Sequence, residues 1–338
     1  MREKPLLQDK RIIAQLWRAY GLQIVHIEFL PLGADYNTAV YRAVTQESVP
    51  YFLKLRKDDF EEISLLVPQF LHEQGIRQAI PPQKTKDAQL WASLDGYACI
   101  LYPFIAGPDG FEVVLSDDQW IEFGAALKGI HTVILPPALR ARIPSETFSP
   151  HWRAMVRGFQ AQVEHTTYAD PVAAKMVALM QTHRDEIRLL IERAEQLAST
   201  LQSRPLELVL CHSDIHPGNL LLATDGDLYI VDWDNPILAP KERDLMFIGG
   251  GVGGIWNRAR EEALFYQGYG FSDINLTALT YYRYERIIQD ISAYCKQILL
   301  TGEGGTDREQ GLRYFTSQFL PNNVLEIAYQ TDQKLKET

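Results

Sequence analysis

The pattern of hydrophobic and polar positions changes in character along this 338-residue chain. After a helical pattern at residues 10–20, short runs rich in β-branched and aromatic residues predict the strands of a small antiparallel sheet: IVHIEFLPL, TAVYRAVT and YFLKLR. The next stretch, DDFEEISLLVPQFLHEQGI, has acidic residues ahead of an apolar stripe, which predicts a helix packed on that sheet. The N-terminal part of the chain therefore indicates a β-rich unit.

The pattern becomes mostly helical from residue 116 onward. Apolar positions there recur at helical spacing, for example in DEIRLLIERAEQLASTLQ. The glycine-rich stretch GEGGTDREQG predicts a surface loop, and the Gly and Pro content of AGPDG at 106–110 is typical of a hinge. We therefore predict an N-terminal lobe at residues 1–105 and a C-terminal lobe at residues 106–338.

Composition and charge narrow the classes of function. The net charge of −10 argues against nucleic acid or an anionic membrane as a partner, and it favours a small cationic substrate. The three cysteines, Cys99, Cys211 and Cys295, are widely spaced and suggest neither a disulfide framework nor a zinc site. Neither a signal-peptide pattern nor an apolar run of roughly 20 residues is present, so we expect a cytoplasmic location. The sequence assigns no oligomeric state.

The polar residues of LCHSDIHPGNLLLATDGDLYIVDWD, at positions 210–234, suggest two kinds of chemistry. The LLLATDGDLYIV part predicts a hairpin that turns at Asp225–Gly226. His212, Asp214 and His216 alternate like the ligands of a metal-dependent hydrolase, but a zinc site needs further ligands, and the other histidines stand singly.

The alternative is phosphoryl transfer. This chemistry asks for a base near the acceptor hydroxyl, a carboxamide a few positions later for a metal ion, and a second metal carboxylate. Asp214, Asn219 and Asp232 provide these three groups, the last of them after the hairpin. We therefore favour a phosphotransferase.

The motifs that carry this chemistry resemble those of the aminoglycoside phosphotransferases and related small-molecule kinases. The resemblance lies in the catalytic loop CHSDIHPGNLLL, the metal segment YIVDWDNP, the nucleotide-covering hairpin GADYNTAVYRAV, the lysine strand YFLKLR, the interlobe linker ILYPFIAG and the helix FGAALKGIHTV. A G-x-G-x-x-G loop is absent, which is a departure from protein kinases. The resemblance implies an α+β, two-lobed protein-kinase-like fold with a small β-rich N-lobe and a large, mostly helical C-lobe.

The same resemblance implies ATP and Mg²⁺ as cofactors and assigns roles at the nucleotide. Lys54 would hold the α- and β-phosphates, oriented by Glu62 on the following helix. The backbone of Pro103 and Ile105 would meet adenine, and Pro103 can only accept a hydrogen bond there because it has no N–H.

Roles at the reacting groups follow in the same way. Asp214 would deprotonate the substrate hydroxyl as general base, and Asn219 and Asp232 would bind Mg²⁺. His212 would brace the loop, and Asp244 would anchor it.

Substrate binding rests on three carboxylates and one distinctive run. Asp234, Glu285 and Asp290 are candidates for receiving a cationic ring. The run APKERDLMFIGGGVGGIWN resembles the branch of the family that acts on aminocyclitols, which implies that it helps to shape the pocket. We expect an O-phosphotransferase for spectinomycin or a related aminocyclitol or aminoglycoside. The alternatives are a metabolic kinase for choline, a sugar or a related alcohol, and a nucleotide-binding regulator that has lost catalysis.

Overall fold

The computed structural model describes residues 4–33, 37–57, 60–302 and 304–337. It divides the chain into two compact units. The first unit contains Met1–Val114, Val133–Ile143 and Pro217–Pro236, and the second contains Leu115–Thr132, Pro144–His216 and Ile237–Thr338. The mixed architecture confirms the predicted fold class, with an antiparallel N-terminal sheet and a helix-rich C-terminal part.

A five-stranded antiparallel sheet in the order β1-β2-β3-β5-β4 forms the centre of the first unit. The elements of this unit are α1 (Asp9–Tyr20), β1 (Ile24–Leu30), β2 (Thr38–Thr45), β3 (Pro50–Lys57), α2 (Ile63–Glu73), β4 (Ala92–Leu94), β5 (Tyr97–Pro103), α4 (Pro137–Arg140), β7 (Leu220–Leu222) and β8 (Leu228–Ile230). The predicted nucleotide-covering hairpin includes residues 34–36, and the predicted helix includes residues 58–59. Both of these short segments lie outside the described residues.

The two faces of this sheet carry different side chains. Leu53 and Leu55 of β3 are fully buried with Ile12 and Leu16 of α1 in the core on one face. Because successive side chains of a strand point to opposite faces, Lys54 and Arg56 lie on the other face. The sheet thus presents two cations on the face away from the α1 core.

The predicted hairpin around Asp225–Gly226 is confirmed as the antiparallel pair β7–β8. It belongs to the N-terminal unit, which a single division at residue 105 does not anticipate. The AGPDG segment, predicted as a hinge, runs beside β7: the N–H of Leu222 donates to the carbonyl of Pro108 at 2.9 Å, and the N–H of Thr224 donates to Ala106 at 3.0 Å. These backbone hydrogen bonds tie the segment to the hairpin.

The second unit is built mainly from helices. Its elements are α3 (Asp117–Thr132), α5 (His151–His165), α6 (Pro171–Thr182), α7 (Arg184–Gln202), β6 (Val209–Cys211), β9 (Ile237–Ala239), α8 (Glu242–Leu245), α9 (Ala259–Tyr269), α10 (Leu276–Leu299), α11 (Gly305–Ser317) and α12 (Val324–Glu337). The strands β6 and β9 form an antiparallel pair. The long helix α10 packs against α5, α7, α11 and α12. Among the described residues, none of the helices has the length and apolar content needed to cross a membrane.

The predicted loop at GEGGTDREQG is wrong over most of its length, because α11 begins at Gly305. The buried Arg308 explains the difference. Its guanidinium donates to the carboxylate of Asp170 at 2.6 Å and to the carbonyl of Ile298 at 2.7 Å. These distant partners favour a helix where the local glycine content favours a loop.

Helices α3 and α9 touch through their backbones. A Cβ atom added to Gly268 would lie 1.8 Å from the carbonyl oxygen of Ile121, and one added to Gly124 would lie 2.0 Å from that of Phe265. Neither distance is compatible with a side chain, so the close crossing requires glycine at both positions.

We therefore expect Gly268→Ala to lower the free energy of unfolding by about 1–3 kcal/mol, as overpacking of a core typically does. Urea unfolding of the purified chain measures this change. Gly158→Ala is the matched control, because Gly158 is exposed within α5 and has open space around it. Alanine there should stabilise the helix by roughly 0.5–1 kcal/mol. Equal effects of the two substitutions would show that the crossing is not tight.

A buried ion pair joins α5 to α10. Arg153 donates to Glu285 at 2.6 Å, and the side chains are only 2% and 5% exposed. The same guanidinium donates to the carbonyls of Phe148 at 2.9 Å and Ser149 at 3.1 Å. Burial raises the pKa of Glu285 to about 7 even though Arg153 acts in the opposite direction. Glu285 thus depends on Arg153 for its charge to be tolerated in the core.

Removing one partner of this pair should destabilise the protein far more than replacing both partners. Arg153→Met leaves a carboxylate without its cation and should destabilise the protein by about 3–5 kcal/mol in urea unfolding at pH 8. The double variant Arg153→Met with Glu285→Leu should recover most of that loss, because it replaces the pair by apolar side chains. If the double variant were less stable than Arg153→Met, the pair would not be the source of the effect.

Candidate active site

Two cations and two carboxylates meet in the N-terminal unit. The Nζ atom of Lys54 lies 2.8 Å from Oδ1 of Asp232 and 2.8 Å from Oδ1 of Asp234. The Nη1 atom of Arg56 lies 3.0 Å from the same oxygen of Asp234. The structure thus brings together Lys54, Asp232 and Asp234, which the sequence singled out. It adds Arg56, which the sequence analysis missed although it lies two positions after Lys54 on the same face of β3.

The two carboxylates keep the lysine protonated. Burial acts to lower the pKa of Lys54, but Asp232 and Asp234 raise this pKa by more, and it lies above its usual value. Burial raises the pKa of Asp234, with Lys54 opposing the shift. Lys54 is therefore an ammonium ion, which is the form that binds phosphate.

Asn219 and Asp232 lie at the same end of the β7–β8 hairpin. Leu220 pairs with Ile230 in the antiparallel register, and the N–H of Val231 donates to the carbonyl of Asn219 at 3.0 Å. Asp232 has a left-handed backbone with φ of 65°, a conformation that costs a non-glycine residue about 1–3 kcal/mol and is enforced by its surroundings. A carboxamide and a carboxylate, both hard oxygen donors, thus flank one end of the hairpin, which fits Mg²⁺.

Glu62 does not have the predicted partner. It immediately precedes α2 and forms an ion pair with Arg142 at 2.9 Å on the surface. Lys54 is paired with Asp232 and Asp234 instead. In the described part of the chain, no Lys54–Glu62 ion pair is present, and each of the two residues has other partners.

The two predicted adenine contacts lie where β5 ends. Pro103 is the last residue of β5 and pairs with Tyr51 of β3, and Ile105 follows two positions later. Just beyond them, Gly107 approaches the hairpin so closely that a Cβ atom would lie 1.9 Å from the carbonyl oxygen of Leu222. The segment that carries Pro103 and Ile105 is therefore held at both ends, and their contacts with adenine stay a prediction.

In the second unit, the backbone before Asp214 is fixed by a buried carboxylate. The N–H groups of His212 and Ser213 donate to Asp244 at 2.9 and 2.6 Å, and Asp244 is fully buried. Nε2 of His131 lies 3.0 Å from the same carboxylate. Burial raises the pKa of Asp244, but the hydrogen bond from His131 and the nearby charges lower this pKa by more. Asp244 thus anchors the loop, as predicted.

His131 is a residue that sequence reasoning missed. Its Nδ1 atom lies 2.8 Å from the hydroxyl of Tyr269, so both ring nitrogens have partners. The sequence did contain a signal for it, because His131 carries a polar ring within the largely apolar helix segment FGAALKGIHTV.

Asp214 is held by a guanidinium. Arg286 of α10 donates to Oδ1 of Asp214, and its Nε atom lies 3.0 Å from Oδ1 of Asp290. The guanidinium also lies over the ring of Phe247, 5.4 Å from the ring centroid. Burial raises the pKa of Asp214, but Arg286, His216 and His212 lower this pKa by more. Asp214 is therefore ionised, as a general base must be. Arg286 was missed, although it lies four positions before Asp290.

The carboxylates predicted to bind a cationic substrate already have cationic partners within the chain. Asp234 binds Lys54 and Arg56, and Asp290 binds Arg286. Glu285 is 4% exposed and paired with Arg153, so the structure places it in the core and not on an accessible surface. The helical periodicity of YYRYERIIQDI did not reveal which face of α10 is covered.

The run at 239–257 borders a small cavity of about 20 Å³ that also contains Arg286 and Asp290. Met246, Phe247, Gly250 and Val252 contribute from the run. A cavity of this volume has room for about one water molecule, so it shows that the run lies beside Asp290 and is not itself a substrate pocket.

The hydrolase alternative gains no support from the geometry. Within the described ranges, the group of potential ligand atoms close enough for a metal ion is His131, Cys211 and Asp244, not His212, Asp214 and His216. Burial raises the pKa of the Cys211 thiol well above its usual value, which disfavours the thiolate that binds zinc. We therefore retain phosphoryl transfer.

Comparisons with known proteins agree with this chemistry. The sequence model of the phosphotransferase enzyme family matches residues 28–279. The structure of spectinomycin phosphotransferase APH(9)-Ia in complex with ADP and spectinomycin is 39% identical, over 97% of this chain and 100% of that one, with a TM-score of 0.91. The AMP-bound complex of APH(9)-Ia is 38% identical, over 96% and 98% of the two chains, with a TM-score of 0.86.

A more distant match supports the fold alone. An aminoglycoside phosphotransferase from Alicyclobacillus acidocaldarius is 12% identical, over 99% of this chain and 98% of that one, with a TM-score of 0.63. The family match covers well over half of the chain, and the two APH(9)-Ia structures cover nearly all of it. This chain belongs to the phosphotransferase enzyme family and is an enzyme that transfers phosphate to a hydroxyl group.

Proposed function

We propose that the protein is an ATP- and Mg²⁺-dependent O-phosphotransferase whose acceptor is a small cation, with spectinomycin or a related aminocyclitol or aminoglycoside favoured. The observation that carries the proposal is the 39% identity, across nearly the whole chain, to an enzyme solved with ADP and spectinomycin. The net charge of −10 supports a cationic acceptor.

The nucleotide would be bound by side chains of the N-terminal unit and by the backbone after β5. Lys54 is charged and its side chain is 12% exposed, so its ammonium group can pair with phosphate oxygens. The carbonyl of Pro103 would accept from the amino group of adenine, and the N–H of Ile105 would donate to the ring. Asn219 and Asp232 would hold Mg²⁺, which when bound neutralises negative charge on the phosphates.

The transfer itself would use Asp214 as the base. Its ionised carboxylate accepts the proton of the acceptor hydroxyl while the hydroxyl oxygen forms a bond to the γ-phosphorus. The bond from that phosphorus to the β–γ bridging oxygen breaks, and ADP leaves. Arg286 binds Oδ1 of Asp214 and thereby fixes the orientation of that carboxylate.

The two alternatives predict different behaviour. A metabolic kinase for choline or a sugar would use the same base and metal ligands but a different acceptor. A regulator that has lost catalysis would have no need for an ionised Asp214 held in place by Arg286. The second alternative is therefore disfavoured.

A panel of acceptors tests the proposal. Purified protein with Mg-ATP should convert spectinomycin to a product heavier by one phosphoryl group, with kanamycin, choline and a neutral sugar assayed beside it by mass spectrometry. EDTA should stop the reaction, and Mg²⁺, not Zn²⁺, should restore it. Phosphorylation of choline alone would indicate a metabolic kinase, a neutral sugar alone would exclude the cationic acceptor, and no product with bound ATP would favour the regulator.

Substitution of the base gives a second test. Asp214→Asn should lower kcat by roughly 10²- to 10⁴-fold, because a positioned general base contributes about that much, while the Kd for ATP changes little. The control is Asp225→Asn, since Asp225 lies at the exposed hairpin turn and accepts a hydrogen bond from the N–H of Asp227 at 3.2 Å. A kcat for Asp214→Asn equal to that of the control would remove Asp214 from the mechanism.

A further inference from the structure

Arg56 lies beside Lys54 on one face of β3. The two residues are two positions apart, so their side chains leave the strand on the same side, roughly 6–7 Å apart along it. The side chain of Arg56 is 17% exposed, and that of Lys54 is 12% exposed. A charge at this depth is costly unless it is paired, so the position of Arg56 needs an explanation.

Asp234 is the anion that both cations share. Its Oδ1 atom lies 2.8 Å from Nζ of Lys54 and 3.0 Å from Nη1 of Arg56. Asp232 is the second anion, 2.8 Å from Lys54. Among the described residues, these four side chains contribute two positive and two negative charges.

Equal numbers of cations and carboxylates fit a site at which phosphate oxygens replace the carboxylates of the chain. A guanidinium binds phosphate through two parallel hydrogen bonds, and a lysine ammonium binds it as a point charge. If Asp232 binds the metal ion, Lys54 loses one of its two carboxylate partners. Phosphate oxygens can then replace Asp234 at Lys54 and Arg56, so that the cations are never left unpaired.

We propose that Arg56 is a second phosphate-binding residue of the nucleotide site, and that Asp234 is the internal carboxylate that holds Lys54 and Arg56 ready for the phosphates. This inference rests on the proposed function, because it assumes that Lys54 binds a nucleotide. It gives Asp234 a role at the nucleotide and not at the cationic acceptor.

Nucleotide affinity tests the role of Arg56. Calorimetry with the full chain and Mg²⁺ compares adenosine, AMP, ADP and ATP. Arg56→Gln should weaken ADP and ATP binding by roughly tenfold to a hundredfold, as loss of a charged hydrogen bond does, while adenosine binding stays within about twofold. Arg56→Lys keeps the charge and should retain most of the affinity for ATP. Equal losses for adenosine and ATP would mean that Arg56 only supports the fold.

Asp234→Asn should act in the opposite direction. It removes the internal competitor of the phosphates, so ADP and ATP should bind more tightly, by roughly twofold to tenfold, with adenosine unchanged and KM for the acceptor nearly unchanged. A higher acceptor KM with unaltered nucleotide binding would assign Asp234 to the acceptor and overturn the inference. If the unsubstituted chain binds ATP normally while these variants fail the test, only this inference falls. If that chain binds no nucleotide, the proposed function falls with it.

Discussion

The position of the proposed base depends on the hydrogen bonds that the fully buried carboxylate of Asp244 accepts. This carboxylate accepts hydrogen bonds from two successive backbone N–H groups just before Asp214 and from the ring of His131 on α3. A buried anion is tolerated only where such donors surround it, so the loop, α8 and α3 have to keep this arrangement together. The backbone position of the loop therefore depends on a residue outside the proposed set of reacting groups.

Much of the fold follows from local pattern. Alternating and helical periodicities predicted the antiparallel sheet and the helix-rich second part, because the side chains that face a core repeat with the period of their own element. The hairpin was predictable because Asp225–Gly226 can adopt the tight turn, and Gly226 has φ of 97°. The proposed base and the proposed metal ligands were predicted from short-range spacing in the same stretch, and their roles stay predictions.

What could not be predicted depends on partners distant in the sequence. The helix α11 forms in a glycine-rich stretch in which the guanidinium of Arg308 is buried against Asp170, and Glu62 pairs with Arg142, 80 positions away. Glu285 was a candidate for substrate binding by its place on a helix, yet that face of α10 is covered by Arg153. The periodicity of a segment does not specify which oppositely charged side chain of another element will pair with its residues.

The same pairing bears on how the site would discriminate between ligands. Asp234 and Asp290 are each held by cations of the chain itself, and Asp214 is held by Arg286. A ligand group that binds one of these side chains must therefore replace an existing ion pair, so part of its binding energy is offset by the pair that is lost. A neutral ligand offers nothing in exchange, whereas a charged ligand of the right sign does. Internal ion pairs thus disfavour an uncharged group at these side chains but do not affect a ligand that stays clear of them, which makes the pairs a source of specificity for charge.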